Sequence, residues 1–311
     1  MNGLDLCKKY FETYGEPMLS EQFGAYKNRI AAGLVGEGSE CLGYDDEFSR
    51  DHDFGPAFCL FLTKEDYAAF GFALERAYAK LPREFEGVKR PLLSSGAGRH
   101  GVFAIGDFYA RFLGSPTAPR DTEQWLSLPP AALLSASNGA VFTDPLGEFS
   151  AVREVLRRGY PEDVRRKKLA GALLLASQAG EYNFPRALAR GDLPAAQLAV
   201  TEFVKHAVSA CFLLFNRYEP FYKWAFRALL DLPLDAALPK ALSALLLLGS
   251  APEDLARKQE LVAEIAKLLS AALREQSLSA KAAAFLDAHA IAVNDSVRDP
   301  HIRNLHILAG V

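Results

Sequence analysis

The order Gly38-Ser39, then Ser49-Arg50-Asp51-His52-Asp53-Phe54-Gly55, then the apolar run Ala57-Phe58-Cys59-Leu60-Phe61-Leu62 constrains this chain more than any other feature. Side chains alternate along extended backbone, so Asp51 and Asp53 project to the same side. Two carboxylates so placed form a site for a hard divalent cation, and Mg²⁺ is commonly held by one or two carboxylates plus substrate phosphates. His52, between them, points the other way and reads as a packing or supporting residue. A Gly-Ser turn lets backbone N–H groups come close to a phosphate. The apolar run that follows suits a buried strand. Together these segments read as a metal-plus-phosphate site.

The surrounding pattern is of two kinds. Leu4, Cys7, Phe11 and Tyr14, and then Leu19, Phe23, Tyr26 and Ile30, recur at helical spacing before the short apolar segment Leu34-Val35. Thr63 with Asp66 three residues on resembles a capping box, and the helix it opens carries Tyr67, Phe70, Leu74 and Tyr78 up to Leu81-Pro82. Val102–Phe112 reads as a strand followed by a helical turn, and Gly139–Thr143 as a last short strand. From about Ser150 alanine and leucine dominate. Helical periodicity runs through Val164–Ala179, Leu193–Phe215, Phe221–Leu230, Ala237–Leu248, Pro252–Leu273, Ala280–Ala288 and Val297–Leu308. The expected class is α+β: a mixed-sheet domain over residues 1–148 and an α-helical bundle over residues 149–311, long enough together for two cores.

A net charge of −3 gives no overall field for binding nucleic acid. Cys7, Cys41, Cys59 and Cys211 are scattered without a C-x-x-C pair, which suits buried free thiols in a reducing cytoplasm. The N-terminus has no signal-peptide pattern, and the apolar runs Ala207–Phe215 and Ala244–Leu248 are too short to span a bilayer. A cytoplasmic protein without a membrane partner is expected.

Eleven residues separate Ser39 from Asp51. This arrangement resembles the nucleotidyltransferase superfamily that includes DNA polymerase β and kanamycin nucleotidyltransferase-like enzymes. The string from Gly38 to Pro56 resembles more specifically the DUF4037 family, as does Asn216-Arg217-Tyr218-Glu219-Pro220-Phe221-Tyr222-Lys223-Trp224. The resemblance implies a nucleotidyltransferase-like sheet domain followed by a helical domain. It implies that Gly38 and Ser39 hold a nucleoside triphosphate and that Asp51 and Asp53 hold Mg²⁺ or Mn²⁺. It further implies transfer of a nucleoside monophosphate to an acceptor hydroxyl with release of pyrophosphate. The superfamily's third carboxylate falls to Asp107, 54 residues after Asp53, beside Gly106 near an expected strand end. Asp107 reads equally as the N-cap of Phe108–Leu113.

Triphosphate charge calls for cations from the helical half. Lys168 is the choice from the run Arg165-Arg166-Lys167-Lys168, which reads either as a solvated face or, opposing a helix dipole, as an anion contact. Lys223, between Tyr222 and Trp224, is a second choice, unless its stem only covers aromatic surface. Glu181 is a candidate general base and Tyr182 a candidate base-stacking residue, against the alternative of a capped helix end. Ser94–His100 also resembles a phosphate cradle but follows no clear strand, so a loop is expected there. Alternatives are a non-catalytic nucleotide-binding or regulatory protein on the same fold, and an interaction protein whose acidic cluster is only solvated. A small-molecule acceptor is favoured over RNA because the net charge is negative, and a macromolecular acceptor such as tRNA or a protein hydroxyl stays open because Arg165–Lys168 could steer one.

Overall fold

The computed structural model describes residues 2–50, 54–90 and 98–311. The chain folds as two compact units, Met1–Pro119 with Ala132–Arg158, and Arg120–Ala131 with Gly159–Val311. The class is α+β.

In the first unit a mixed four-stranded sheet has the order β5-β2-β1-β6, with β1 at Ala31–Leu34, β2 at Cys59–Leu62, β5 at Gly101–Ala104 and β6 at Ala140–Thr143. β1 runs antiparallel to β2 and β6, whereas β2 and β5 are parallel. A separate hairpin pairs β3, Glu84–Phe85, with β4, Val88–Lys89. β2 is apolar throughout because both its faces are covered. Leu60 and Leu62 join a cluster with Tyr10, Leu19, Phe58, Leu74 and Tyr78. On the other face Phe61 stacks on Phe149 with ring centroids 3.9 Å apart and meets Phe108 edge-on. That contact, and the buried Arg153, tie the helix Glu148–Arg157 to this unit.

The Thr63 cap forms as the sequence suggests, its hydroxyl accepting from the Asp66 N–H at 3.1 Å. The helical reading over Leu19–Ile30 is cut short. The helix Glu16–Gln22 stops before Phe23, and Lys27–Arg29 is a single 3₁₀ turn. Gly139 has φ of +62°, and a Cβ there would lie 2.0 Å from the Leu34 carbonyl oxygen, so no other residue fits between β1 and β6 without moving backbone.

The second unit is helical. The helix Glu162–Ala176 packs on Leu193–Leu214 and Leu286–Asp295. Ala280–Ala288 differs from its expected helix: the helix begins only at Leu286. Within Val297–Leu308, Pro300–Asn304 is the α-helical part. Among the described residues, Leu193–Leu214 is long and apolar enough to cross a membrane by length and composition, which the shorter apolar run did not suggest. Over its apolar window it is 56% buried inside the protein, as a core helix is.

The basic run Arg165–Lys168 is neither a solvated face nor a helix start. The helix opens after Pro161 with Glu162 and Asp163 in its first turn, where acidic side chains complement the dipole. Arg165 and Arg166 both pair with Glu162. Arg165 also donates to the carbonyls of Leu213 and Leu214, at the end of Leu193–Leu214. Arg166 donates to the carbonyl of Ser296, just past Leu286–Asp295. Lys167 is fully buried and donates to Asn294 Oδ1 and to the carbonyls of Arg303 and Leu305. Helix C-termini leave carbonyls without intrahelical partners, and this run satisfies those of three helices. Replacing Lys167 by methionine keeps the length of the stem but orphans Asn294 Oδ1 and the Leu305 carbonyl, and leaves the Arg303 carbonyl with only Asn294 Nδ2 at 3.4 Å. Each orphaned buried acceptor costs about 1–3 kcal/mol. Lys167→Met should therefore lower the urea midpoint of the second unit sharply, and a midpoint equal to the parent's would contradict this role.

Candidate functional site

β1 ends in the turn Gly36–Ser39, which leads into the short helix Ser39–Leu42. Two long-range side chains hold the turn. The Asn138 amide accepts from the Gly36 N–H at 2.9 Å and donates to the Gly36 carbonyl at 2.6 Å. Arg153 Nη2 in turn donates to the carbonyls of Asn138 and Gly139 at 3.0 and 2.7 Å. On the next carbonyl, Glu37 O, sits Arg99, donating from Nε at 3.1 Å and from Nη2 at 2.7 Å. Arg99 Nη2 also reaches Glu40 Oε1 at 2.6 Å.

The Glu40 side chain is 7% exposed, so this is a desolvated, charge-assisted pair, and removing one partner would leave a buried charge. Gly38 has φ of +125°, and a Cβ on it would fall 1.8 Å from Arg99 Nη2. Gly38 is therefore glycine because the guanidinium lies against it. Ser39 Oγ is 3.5 Å from Glu40 Oε2, a weak contact. Arg111 donates to the Gly98 carbonyl, next in sequence to Arg99, at 3.3 Å.

Asp51, His52 and Asp53 lie outside the described residues, as do Ser94–Ala97 of the second glycine-rich segment. Among the described residues no three His, Cys, Asp or Glu side chains gather as a metal site. Asp107 is neither on a strand nor an N-cap. The helix runs Ile105–Leu113, its N-cap position is Ala104, and Asp107 sits exposed in the first turn. Its charge reaches the Tyr67 phenol, which is pushed up to about 12, first by its hydrogen bond to Glu75, then by burial and by the Glu75 and Asp107 charges. Among the described residues no hydrogen bond or ion pair joins Asp107 to the turn.

The residues chosen in the second unit have local partners. Lys168 donates to the carbonyls of Leu126 at 2.9 Å and Gly310 at 2.5 Å, and burial brings its ammonium down to about 8. Glu181 lies in a π-helical stretch, Ser177–Asn183, and accepts the Leu286 N–H at 2.9 Å, capping the helix that starts there. Burial raises its carboxyl, and it lines a cavity of about 670 Å³ with Lys267 and Arg274. Tyr182 donates to Asp287 Oδ2 at 2.8 Å. The pair thus anchors Leu286–Asp295. Lys223 is exposed, with Nζ 5.8 Å from the Trp224 ring centre. Arg99 is the residue that sequence reasoning missed. It belongs to the loop string Ser94–His100, and nothing local says that a guanidinium returns to a turn 62 positions earlier.

Residues 125–225 match a family model described as "Domain of unknown function (DUF4037)". The segment contains the string Asn216–Trp224, whereas Gly38–Pro56 lies outside it. It also supplies, apart from Gly310 and Val311, the lining of a cavity of about 400 Å³ in the second unit. No curated protein matches the chain. Among solved structures, a nucleotidyltransferase-like protein from Exiguobacterium sibiricum 255-15 is similar at 13% identity with a TM-score of 0.37, over 87% of this chain and 78% of that one.

His100, next to Arg99, is buried, and its imidazole is pushed down to about 3 by desolvation and by the Arg99 and Arg90 charges. A depressed folded-state pKa means that the unfolded chain binds the proton first. The contribution of neutral His100 is then whole above about pH 6.5 and is lost progressively as pH falls toward about 3. The first unit should lose stability on acidification across that window, and His100→Gln should flatten the loss. An unchanged pH profile in the variant would contradict the assignment.

Proposed function

We propose that the first unit binds a nucleoside triphosphate at the Gly36–Ser39 turn and transfers its nucleoside monophosphate to an acceptor hydroxyl. The observation that carries the reading is the turn itself. A glycine backbone at the end of β1, clamped by Asn138 and overlaid by Arg99, precedes Asp51-His52-Asp53 by eleven residues. Arg99 spends Nε and Nη2 on Glu37 and Glu40, so Nη1 is the nitrogen to meet a phosphate oxygen. Ser39 would add a hydroxyl donor.

Asp51 and Asp53 would hold Mg²⁺ or Mn²⁺, which supplies Lewis-acid polarisation of the phosphoryl oxygens when bound. The acceptor oxygen attacks the α-phosphorus as the bond to pyrophosphate breaks. The residues of the turn contribute chiefly by positioning and charge. Asp107 is the candidate to take the acceptor's proton. A small-molecule acceptor fits the net negative charge better than RNA. Four buried free thiols fit a reducing, cytoplasmic setting.

One observation favours the second reading, nucleotide binding without turnover. Asp107 stands on an exposed helix turn with no bond to the glycine turn among the described residues. The two readings share their test of binding. The affinity of the intact chain for ATP should tighten by about tenfold or more when Mg²⁺ is added. In Asp53→Asn that metal dependence should vanish. Equal metal dependence in parent and variant would defeat both readings, and pyrophosphate release by the parent would separate them.

A further inference from the structure

The 400 Å³ cavity of the second unit lies within the range of small-molecule sites, roughly 300–1,000 Å³. Its charges are unequal. Among its side chains, Lys168, Lys205 and Arg217 line it against one acidic group, Glu219. Lys205 is partly offset, since it shares Glu202 with His206, each at 3.3 Å. Burial and the Lys205 charge favour neutral His206. Among the described residues Lys168 has no acid to offset it. Its carbonyl partners satisfy two N–H groups without bringing a counter-charge. Arg217 is exposed at the same cavity.

The rest of the lining is aromatic. Tyr160 and Phe212 are buried, and the Lys168 ammonium lies 5.5 Å from the Tyr160 ring centre. Phe221 and Tyr222 stand with rings 4.5 Å apart and are 57% and 77% exposed. Large rings left so open beside a cavity offer faces to a planar ligand. Glu219 accepts Ser209 Oγ on one oxygen at 2.5 Å, which leaves the other oxygen to accept from a ligand hydroxyl.

We propose that this cavity binds a small aromatic acid that carries a hydroxyl. The ring packs against Tyr222 and Phe221, the carboxylate goes to Arg217 and Lys168, and the hydroxyl donates to Glu219. The site is built wholly from the second unit, so it stands independently of the nucleotide reading.

Two probes share a carbon skeleton and a phenol but carry opposite charge: para-hydroxyphenylacetate and tyramine. Isothermal titration of the full chain should show saturable binding of the acid, about tenfold or more tighter than tyramine. Arg217→Ala and Tyr222→Ala remove exposed side chains, so the fold is kept, and each should weaken the acid by about fivefold or more. Tyramine binding as tightly as the acid would overturn the proposal by giving Glu219 the lead. So would absence of saturation at millimolar acid, or both variants binding the acid as the parent does.

Discussion

The backbone from Gly36 to Ser39 keeps its course because two consecutive carbonyls are held by side chains from far along the chain. Asn138 takes Gly36 and Arg99 takes Glu37. Neither clamp acts alone. Asn138 is held by Arg153 on its own carbonyl, and Arg99 is held by the buried carboxylate of Glu40. β1, β6 and the segment before β5 therefore converge on four residues of backbone. Gly38 and Gly139 are the points where a side chain would break that convergence, against a guanidinium in one case and the Leu34 carbonyl in the other. A turn fixed in this way is pre-organised, and binding there would cost little ordering.

The second unit solves a different problem with the same chemistry. Helices that end inside a protein expose carbonyls to no water, and these must be satisfied. Arg165, Arg166 and Lys167 carry out that task for three helix ends from one turn of a single helix, and Lys168 does so for Leu126 and Gly310. Positive charge is thereby drawn into the interior, and part of it borders the cavity of Tyr160, Glu219 and Tyr222. The same lysine that ties Gly310 to its helix thus brings positive charge to the cavity wall.

What was legible in the sequence is what depends on near neighbours. The buried strand β2, the Thr63 cap and the long helices Leu193–Leu214 and Pro252–Glu275 follow from a continuous apolar run, capping and helical periodicity. What was not legible depends on distant partners. Alanine-rich 280–285 has helical propensity, yet the helix starts at Leu286, where Glu181 from 105 positions away caps it. The basic run reads as a solvated face or an anion contact until the carbonyls that it serves are seen. Arg99 sits in a glycine-rich loop and gives no local sign of its return to Gly38. Of Asp51 and Asp53, the pair proposed to bind metal, the spacing is the whole of the information, since both lie outside the described residues.

The central claim, a phosphate-binding turn working with a metal-binding acidic pair, is tested most directly by the thermal midpoint of the intact chain. It is measured with ATP, GTP, CTP and UTP in turn, each with and without Mg²⁺. A ligand at about a hundred times its dissociation constant stabilises by about 2.7 kcal/mol, which shifts the midpoint by several degrees, at roughly 2–4 °C per kcal/mol for a domain of 150 residues or more. The account predicts a shift of that order that needs nucleotide and metal together. A midpoint unmoved by all four nucleotides at millimolar concentration with Mg²⁺ would contradict it.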